Sequence, residues 1–305
     1  MNRLKRKNAV PAAQGVPAAG INQVTWKERL ASYRRDPLSL ALRLVVCLAA
    51  AIPAAVLLAL IAYILIRGIP HLKPSLFELH YNSENVSMFP AMVMTLYMTV
   101  LCLLIATPLG VGCAIYLTEY AKRGNKVVEV IRLAAETLSG IPSIVYGLFG
   151  MLFFVTALGW KYSILAGACT LSIMVLPLII RSTEEALKSV PDSYREASFG
   201  LGAGKLRTVM RVVLPPAMPG IVAGIILAVG RIVGETAALI YTAGTVAKIT
   251  GNPMESARTL SVHMYALSSE GLHTNEAFAT AVVLLVTVLL LNALSNWIAK
   301  RITKG

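Results

Sequence analysis

The sequence predicts an all-α integral membrane protein with six transmembrane helices and both termini on the cytoplasmic side. Three observations carry that prediction. The chain is 56% hydrophobic and only 14% charged, with a mean hydropathy of +0.69, and a soluble globule would have too thin a polar shell at that composition. Six apolar runs approach or exceed the ~20 residues that cross a ~30 Å hydrocarbon core. Finally, 22 of the 28 Lys and Arg residues fall on one side of those runs and five on the other, the asymmetry that orients membrane proteins. The net charge of +13 is therefore a topology signal rather than a nucleic-acid footprint.

Residues 1–36 form a basic, Ala/Pro/Gly-rich tail (Arg3, Lys5, Arg6, Lys7, Lys27, Arg29, Arg34 and Arg35). It reads as a flexible cytoplasmic segment with a short interfacial helix near Trp26–Arg35. The apolar run over 40–66 is too long for a ~7–15-residue signal core and reads as an uncleaved first span. The membrane domain is 37–305, with further spans at about 91–117, 138–158, 162–180, 218–241 and 278–299. Pro108, Pro142 and Pro177 lie in or at the edges of these spans, and such breaks survive in lipid where neighbours satisfy the freed backbone. In the fifth span Gly220/Gly224 and Gly230/Gly234 keep a small-xxx-small spacing that admits close helix packing.

Between the fourth and fifth spans runs a charge-mixed loop, 181–215. A polar helix, a glycine break at Gly202, and a second helix ending at Leu214–Pro215 would make it a rigid knob for a soluble partner. Its GLGAGKL stretch is not a phosphate-binding loop, because Leu206 stands where Ser or Thr is required and no strand precedes it. Neither a nucleophile elbow nor an H-E-x-x-H pattern is present. Cys47, Cys102, Cys113 and Cys169 lie singly in apolar segments, and the four histidines lack ligand spacing, so neither metal nor cofactor is expected.

Arg231 alone among the Lys and Arg residues lies mid-span, about twelve residues into the fifth span and hence near the bilayer middle. A mid-membrane charge costs at least ~2.5 kcal/mol and must face a partner or a cavity. Glu235, four residues on, would share its helix face. Two readings stand: a self-neutralising pair that packs the bundle, or a guanidinium lining a polar path for an oxyanion, with Thr236, Tyr241 and Thr242 adding hydroxyls. Arginine suits the second because its planar fork matches carboxylate, sulfate or phosphate oxygens. Arg181, at the inner end of the fourth span, is either a snorkelling anchor or a second oxyanion contact.

The run Glu196–Pro215 (EAS-FGL-G, then V-V-LP) resembles the EAA signature of ABC-importer permeases, with Ser198 where alanine is usual. ETLSGIPSIVYGLFG (136–150), VPDSYREASFGLGA (190–203) and GRIVGETAALIYTAG (230–244) are similar to phosphate-importer permeases of the PstA type. The resemblance covers residue 90 to the C-terminus. It implies a type I, MetI-like permease fold whose cytoplasmic coupling helices dock on an ATPase through Asp192, Glu196, Ala197, Gly202, Leu214 and Pro215. It further implies a PstC-type permease partner, two PstB-type ATPase subunits that bind the ATP, and an extracytoplasmic PstS-type phosphate-binding protein seated on 245–276 and 67–89. Arg181, Arg231 and Glu235 match charged positions of the family's phosphate path. Sulfate or molybdate as cargo, and an ion-coupled carrier using Glu235, are the alternatives.

Overall fold

The computed structural model describes residues 37–122 and 124–302, and every regular element among them is helical. The predicted basic tail, with its interfacial helix, lies outside the described residues. The chain divides into two units, 1–61 and 62–305. The described part of the first is an apolar helix, the N-terminal portion of α1 (Pro37–Gly68), which carries Pro53 inside it.

The second unit contains the bundle. Its central post is α5 (Ile164–Lys188), two-thirds buried over its most apolar stretch, against about a third or less for the other long helices. Ser163 caps α5 by accepting from the Ala166 amide at 3.2 Å, leaving one fewer orphan donor at the N-terminus. Against α5 packs α2 (Phe89–Ile115), which continues as a π-turn over Tyr116–Tyr120. Their shared core holds Met98, Cys102, Leu171 and Met174. Gly110 is needed there, since a Cβ would stand 2.7 Å from Ile179 Cγ2. Pro108 and Pro177 lie inside α2 and α5 without ending them.

The predicted third span is not one rod. α3 (Lys126–Ser139) and α4 (Ser143–Gly150, prolonged by a π segment to Ala157) meet at 106°. Pro142 explains the break: it disfavours helical backbone at the residue before it, and its missing N–H cannot extend the ladder. The Tyr146 hydroxyl bridges the bend by donating to Leu138 O at 2.7 Å.

The fourth span runs two turns past its predicted end, to Lys188. The fifth also differs. After α6 (Asp192–Gly200), helix begins at α7 (Lys205–Thr208), passes through a π-turn over Val209–Val213 and continues as α8 (Leu214–Gly234). Leu214 and Pro215 therefore open α8 rather than closing a separate coupling helix. The π-turn just upstream shifts the hydrogen-bond ladder where Pro215 and Pro216 offer no donor.

α8 stops at Gly234, not at Tyr241. A short α9 (Ala237–Ile240), an extended stretch, α10 (Leu260–Glu270) and α11 (Thr274–Ile302) complete the chain. Gly220 and Gly224 bring α8 onto α5: a Cβ at the first would stand 2.6 Å from Ala186 Cβ, and one at the second would overlap Ser182. Gly230 and Gly234 face nothing within 4 Å, so only the first small-residue pair packs a helix within this chain. At the end of the bundle opposite α6, the 72–88 loop packs on α10 and α11 through Leu76, Val86, Met88, Leu260, Leu267 and Ala277.

Candidate functional site

Three arginines line one cavity of about 500 Å³: Arg132 from α3, Arg181 from α5 and Arg231 from α8. Glu136, Ser139 and Glu184 join them, over an apolar floor of Met174, Pro177 and Leu178. The sequence assigned Arg181 and Arg231 to one path, and both line this cavity. Because α5 continues to Lys188, Arg181 lies within the helix rather than at its end. Its ion pair with Glu185 (3.2 Å) is exposed on both sides, the kind worth ~0–1 kcal/mol and easily exchanged for another anion.

Arg231 occupies the last turn of α8, where the negative end of the helix dipole favours a cation. It is exposed to the cavity, and among the described residues it makes no ion pair. The self-neutralising pair with Glu235 does not form. Glu235 lies beyond the helix, in extended backbone (φ −72°, ψ 130°), so the i, i+4 relation is lost. Its carboxylate instead accepts from the Ala238 amide at 3.1 Å, tying down the start of α9, and its carbonyl accepts from Ser261 Oγ at 2.6 Å. Glu235 and Thr236 are absent from the cavity wall. Thr236, Tyr241 and Thr242 are not among the residues that line the cavity with Arg231, and the buried Thr242 hydroxyl donates to Ala238 O at 2.7 Å.

Arg132 was not singled out in the sequence, where it stands in a stretch read as a loop. The signal was present: Glu129, Arg132 and Glu136 recur at helical spacing with Val and Leu between them, an amphipathic pattern. Arg132 Nε meets Glu184 at 3.1 Å, and the same buried carboxylate takes Lys188 at 3.1 Å. One acid between two cations leaves the inner end of the cavity attractive to an anion.

The second region is the α6 loop. Asp192, Glu196 and Ala197 are exposed, with Tyr194, Phe199, Leu201 and Leu206 exposed beside them. Four large apolar side chains on a polar loop mark an interaction surface. Gly202 makes the turn, at φ +79°, a backbone that an L side chain adopts only with strain. Ser198 is buried, its hydroxyl 2.8 Å from that of Thr208. The serine at the usual alanine position thus staples α6 to α7.

At the opposite end, Arg258 lies over the Tyr81 ring at 4.4 Å, and Tyr81 meets His263 edge-on. Burial, with the Arg258 charge in support, pushes the His263 imidazole down to about 3, so it is neutral at physiological pH.

The model of the binding-protein-dependent transport system inner membrane component family matches residues 106–305. The chain belongs to this family. It is a multi-pass membrane permease with a MetI-like ABC-importer fold. It is 38% identical over 275 residues to the probable ABC transporter permease protein YqgI of Bacillus subtilis (strain 168), covering 84% of this chain and 93% of that one. The phosphate transport system permease protein PstA 2 of Mycobacterium bovis is 33% identical over 77% of this permease and 80% of its own length. With PstA 1 of Mycobacterium tuberculosis the match is 40% identical but spans about half of each chain. Among solved structures, a bacterial alginate ABC transporter with its pentasaccharide-bound periplasmic protein superposes at a TM-score of 0.65, covering 90% of this permease and 98% of that chain at 16% identity. The MetNI methionine ABC transporter does so at 0.58, with 80% and 98% covered and 21% identity. Those two likenesses bear on the fold.

Proposed function

We propose that this permease is the PstA-type membrane subunit of an ATP-driven inorganic phosphate importer in the cytoplasmic membrane. The observation that carries the reading is the convergence of Arg132, Arg181 and Arg231 on one cavity. The names of the PstA relatives support phosphate as the cargo. A guanidinium offers paired donors matched to two phosphate oxygens. Among the described residues Arg231 has no ion-pair partner to give up, and Arg181 has only an exposed one. Both therefore receive the anion at little cost and release it readily, as a path requires.

The chain forms half of the path, with a PstC-type permease supplying the other half. A PstB-type ATPase dimer docks on the exposed face of α6 and binds the nucleotide. A PstS-type phosphate-binding protein sits at the opposite end, over the 72–88 loop and α10. Closure of the ATPase shifts the permease between two packings, so that the cavity opens to alternate sides. An ion-coupled carrier is disfavoured because Glu235, its one acid candidate, is buried and spent on capping α9.

The test is uptake by the complete complex in proteoliposomes, with sulfate and molybdate as competitors. Phosphate uptake that needs ATP and the binding protein, and resists excess sulfate or molybdate, is expected. Uptake of sulfate or molybdate in its place would reassign the cargo, and accumulation without the ATPase would overturn the class.

A further inference from the structure

We propose that Arg195 is a strut that makes α2 move with the coupling helix α6, and that Glu119 is its anchor. The inference rests on the ATP-driven reading above. By the covalent chain, α6 is joined directly only to α5, through Ser189–Pro191, and to α7 and α8, through the Gly202 turn. α2 precedes it by some seventy residues. Among the described residues α6 itself is tied to the end of α2 through the Arg195 side chain.

From α6, Arg195 reaches Glu119 in the π-turn that ends α2, with Nη2 at 2.7 Å and Nε at 3.2 Å from Oε1. Nη2 also donates to Leu187 O at 2.9 Å, in the last turn of α5, and Nη1 donates to Val190 O at 2.8 Å and to Asp192 at 3.2 Å. All three guanidinium nitrogens are engaged. The acceptors come from α2, α5, the α5–α6 link and α6. Both partners of the central pair are largely shielded from water, their side chains 14% and 7% exposed. The Glu119 hydrogen bonds hold the Arg195 proton more tightly than usual. Lys205, just past the Gly202 turn, lies 5.1 Å over the Tyr120 ring, a second tie from the same loop to the same turn.

Holding a loop in place would not need this arrangement, since a buried ion pair often stabilises less than apolar side chains of the same size. It does give orientation. A planar fork with fixed donors resists both sliding and rotation, which a lysine's single rotatable ammonium does not. The attachment point is a π-turn, one residue wider than the α ladder and a form of helix frequent at functional sites. Displacement of α6 is thereby delivered to α2, a wall of the α5 core, as well as to α5 and α8.

The test uses the full complex, with its ATPase and binding protein, in proteoliposomes. Arg195→Lys keeps the charge and loses the fork, and Glu119→Gln keeps the shape and loses the charge. Both are expected to assemble and to hydrolyse ATP within about twofold of wild type, while phosphate moved per ATP falls by about tenfold. Spin labels at Leu201 and Leu104, in a background without the native cysteines, supply a readout independent of cargo. Their separation is expected to stay constant through the nucleotide cycle in the otherwise unaltered protein, and to vary in either variant. Unchanged phosphate per ATP in both variants would overturn the strut, as would an α6–α2 separation that already varies without them. If the wild-type complex moves no phosphate but the label separation behaves as described, the cargo assignment fails and the strut stands.

Discussion

Arg231 and Arg195 are the same residue type on the same permease, and the fold treats them in opposite ways. Around Arg195 every guanidinium nitrogen has an acceptor and the carboxylate partner is largely shielded from water. Around Arg231 the side chain faces a cavity, and among the described residues no carboxylate lies within ion-pair distance of it. The difference separates a charge used as a joint from a charge held ready for a ligand. Sequence position conceals it, since Arg231 lies in an apolar run with an acid four residues away and Arg195 in a polar loop. Acceptors, not surroundings in sequence, decide the use.

The comparison breaks most readily at the joint. Arg195→Ala leaves a largely shielded carboxylate without its partner and should cost about 2–3 kcal/mol, read as a clear fall in the thermal midpoint of the purified protein. Arg231→Ala should shift that midpoint little, within about 0.5 kcal/mol. Equal losses would erase the distinction.

The next effect is a pH dependence outside both regions. An unfolded chain protonates His263 near pH 6.5, whereas the folded protein resists until about 3. Stability from this group is therefore complete above pH 6.5 and is lost as pH falls toward 3. Between pH 6.5 and 5 the loss is on the order of 2 kcal/mol. His263→Gln should flatten that slope in denaturant titrations, and an unchanged slope would put the proton elsewhere.

Smaller effects sharpen the reading of α8 and of the loop. Gly224→Ala forces Ser182 aside and should cost about 1–3 kcal/mol, while Gly230→Ala, with open space around it, should be neutral or slightly stabilising in the same melts. Ser198→Ala removes the bond to Thr208 and leaves that hydroxyl buried and short of one partner. It should cost about 1 kcal/mol, measured by the same method, with loss of ATPase affinity if the staple shapes the docking face.

Much of this architecture was legible because lipid imposes simple rules. The long spans follow from apolar length, and the α6 loop announced itself as charge between two greasy runs. What failed were the ends. Glu235 looked like the fourth residue after Arg231 on a continuing helix, but hydropathy does not register that α8 stops at Gly234, because the residues of α9 are just as apolar. Pro215 looked like a stop signal, and a π-turn absorbed it. Pro142 did mark a break, and its 106° angle is set by packing of α4 against α9, where a Cβ at Gly147 would stand 2.8 Å from Ala238 Cα. Arg132 was hidden because a half-polar helix at the membrane edge reads as a loop when spans alone are sought. The Arg195–Glu119 joint links residues 76 apart in the chain, and a single sequence carries no mark of such a pair.

The central claim is that Arg231 is a ligand group rather than a packing group. The measurement that tests it most directly is phosphate uptake by proteoliposomes holding the assembled complex with Arg231→Gln. The account predicts normal assembly and thermal stability with uptake reduced by at least about tenfold, the cost of one charge-assisted contact. Wild-type uptake from that variant, or its failure to assemble, would contradict it.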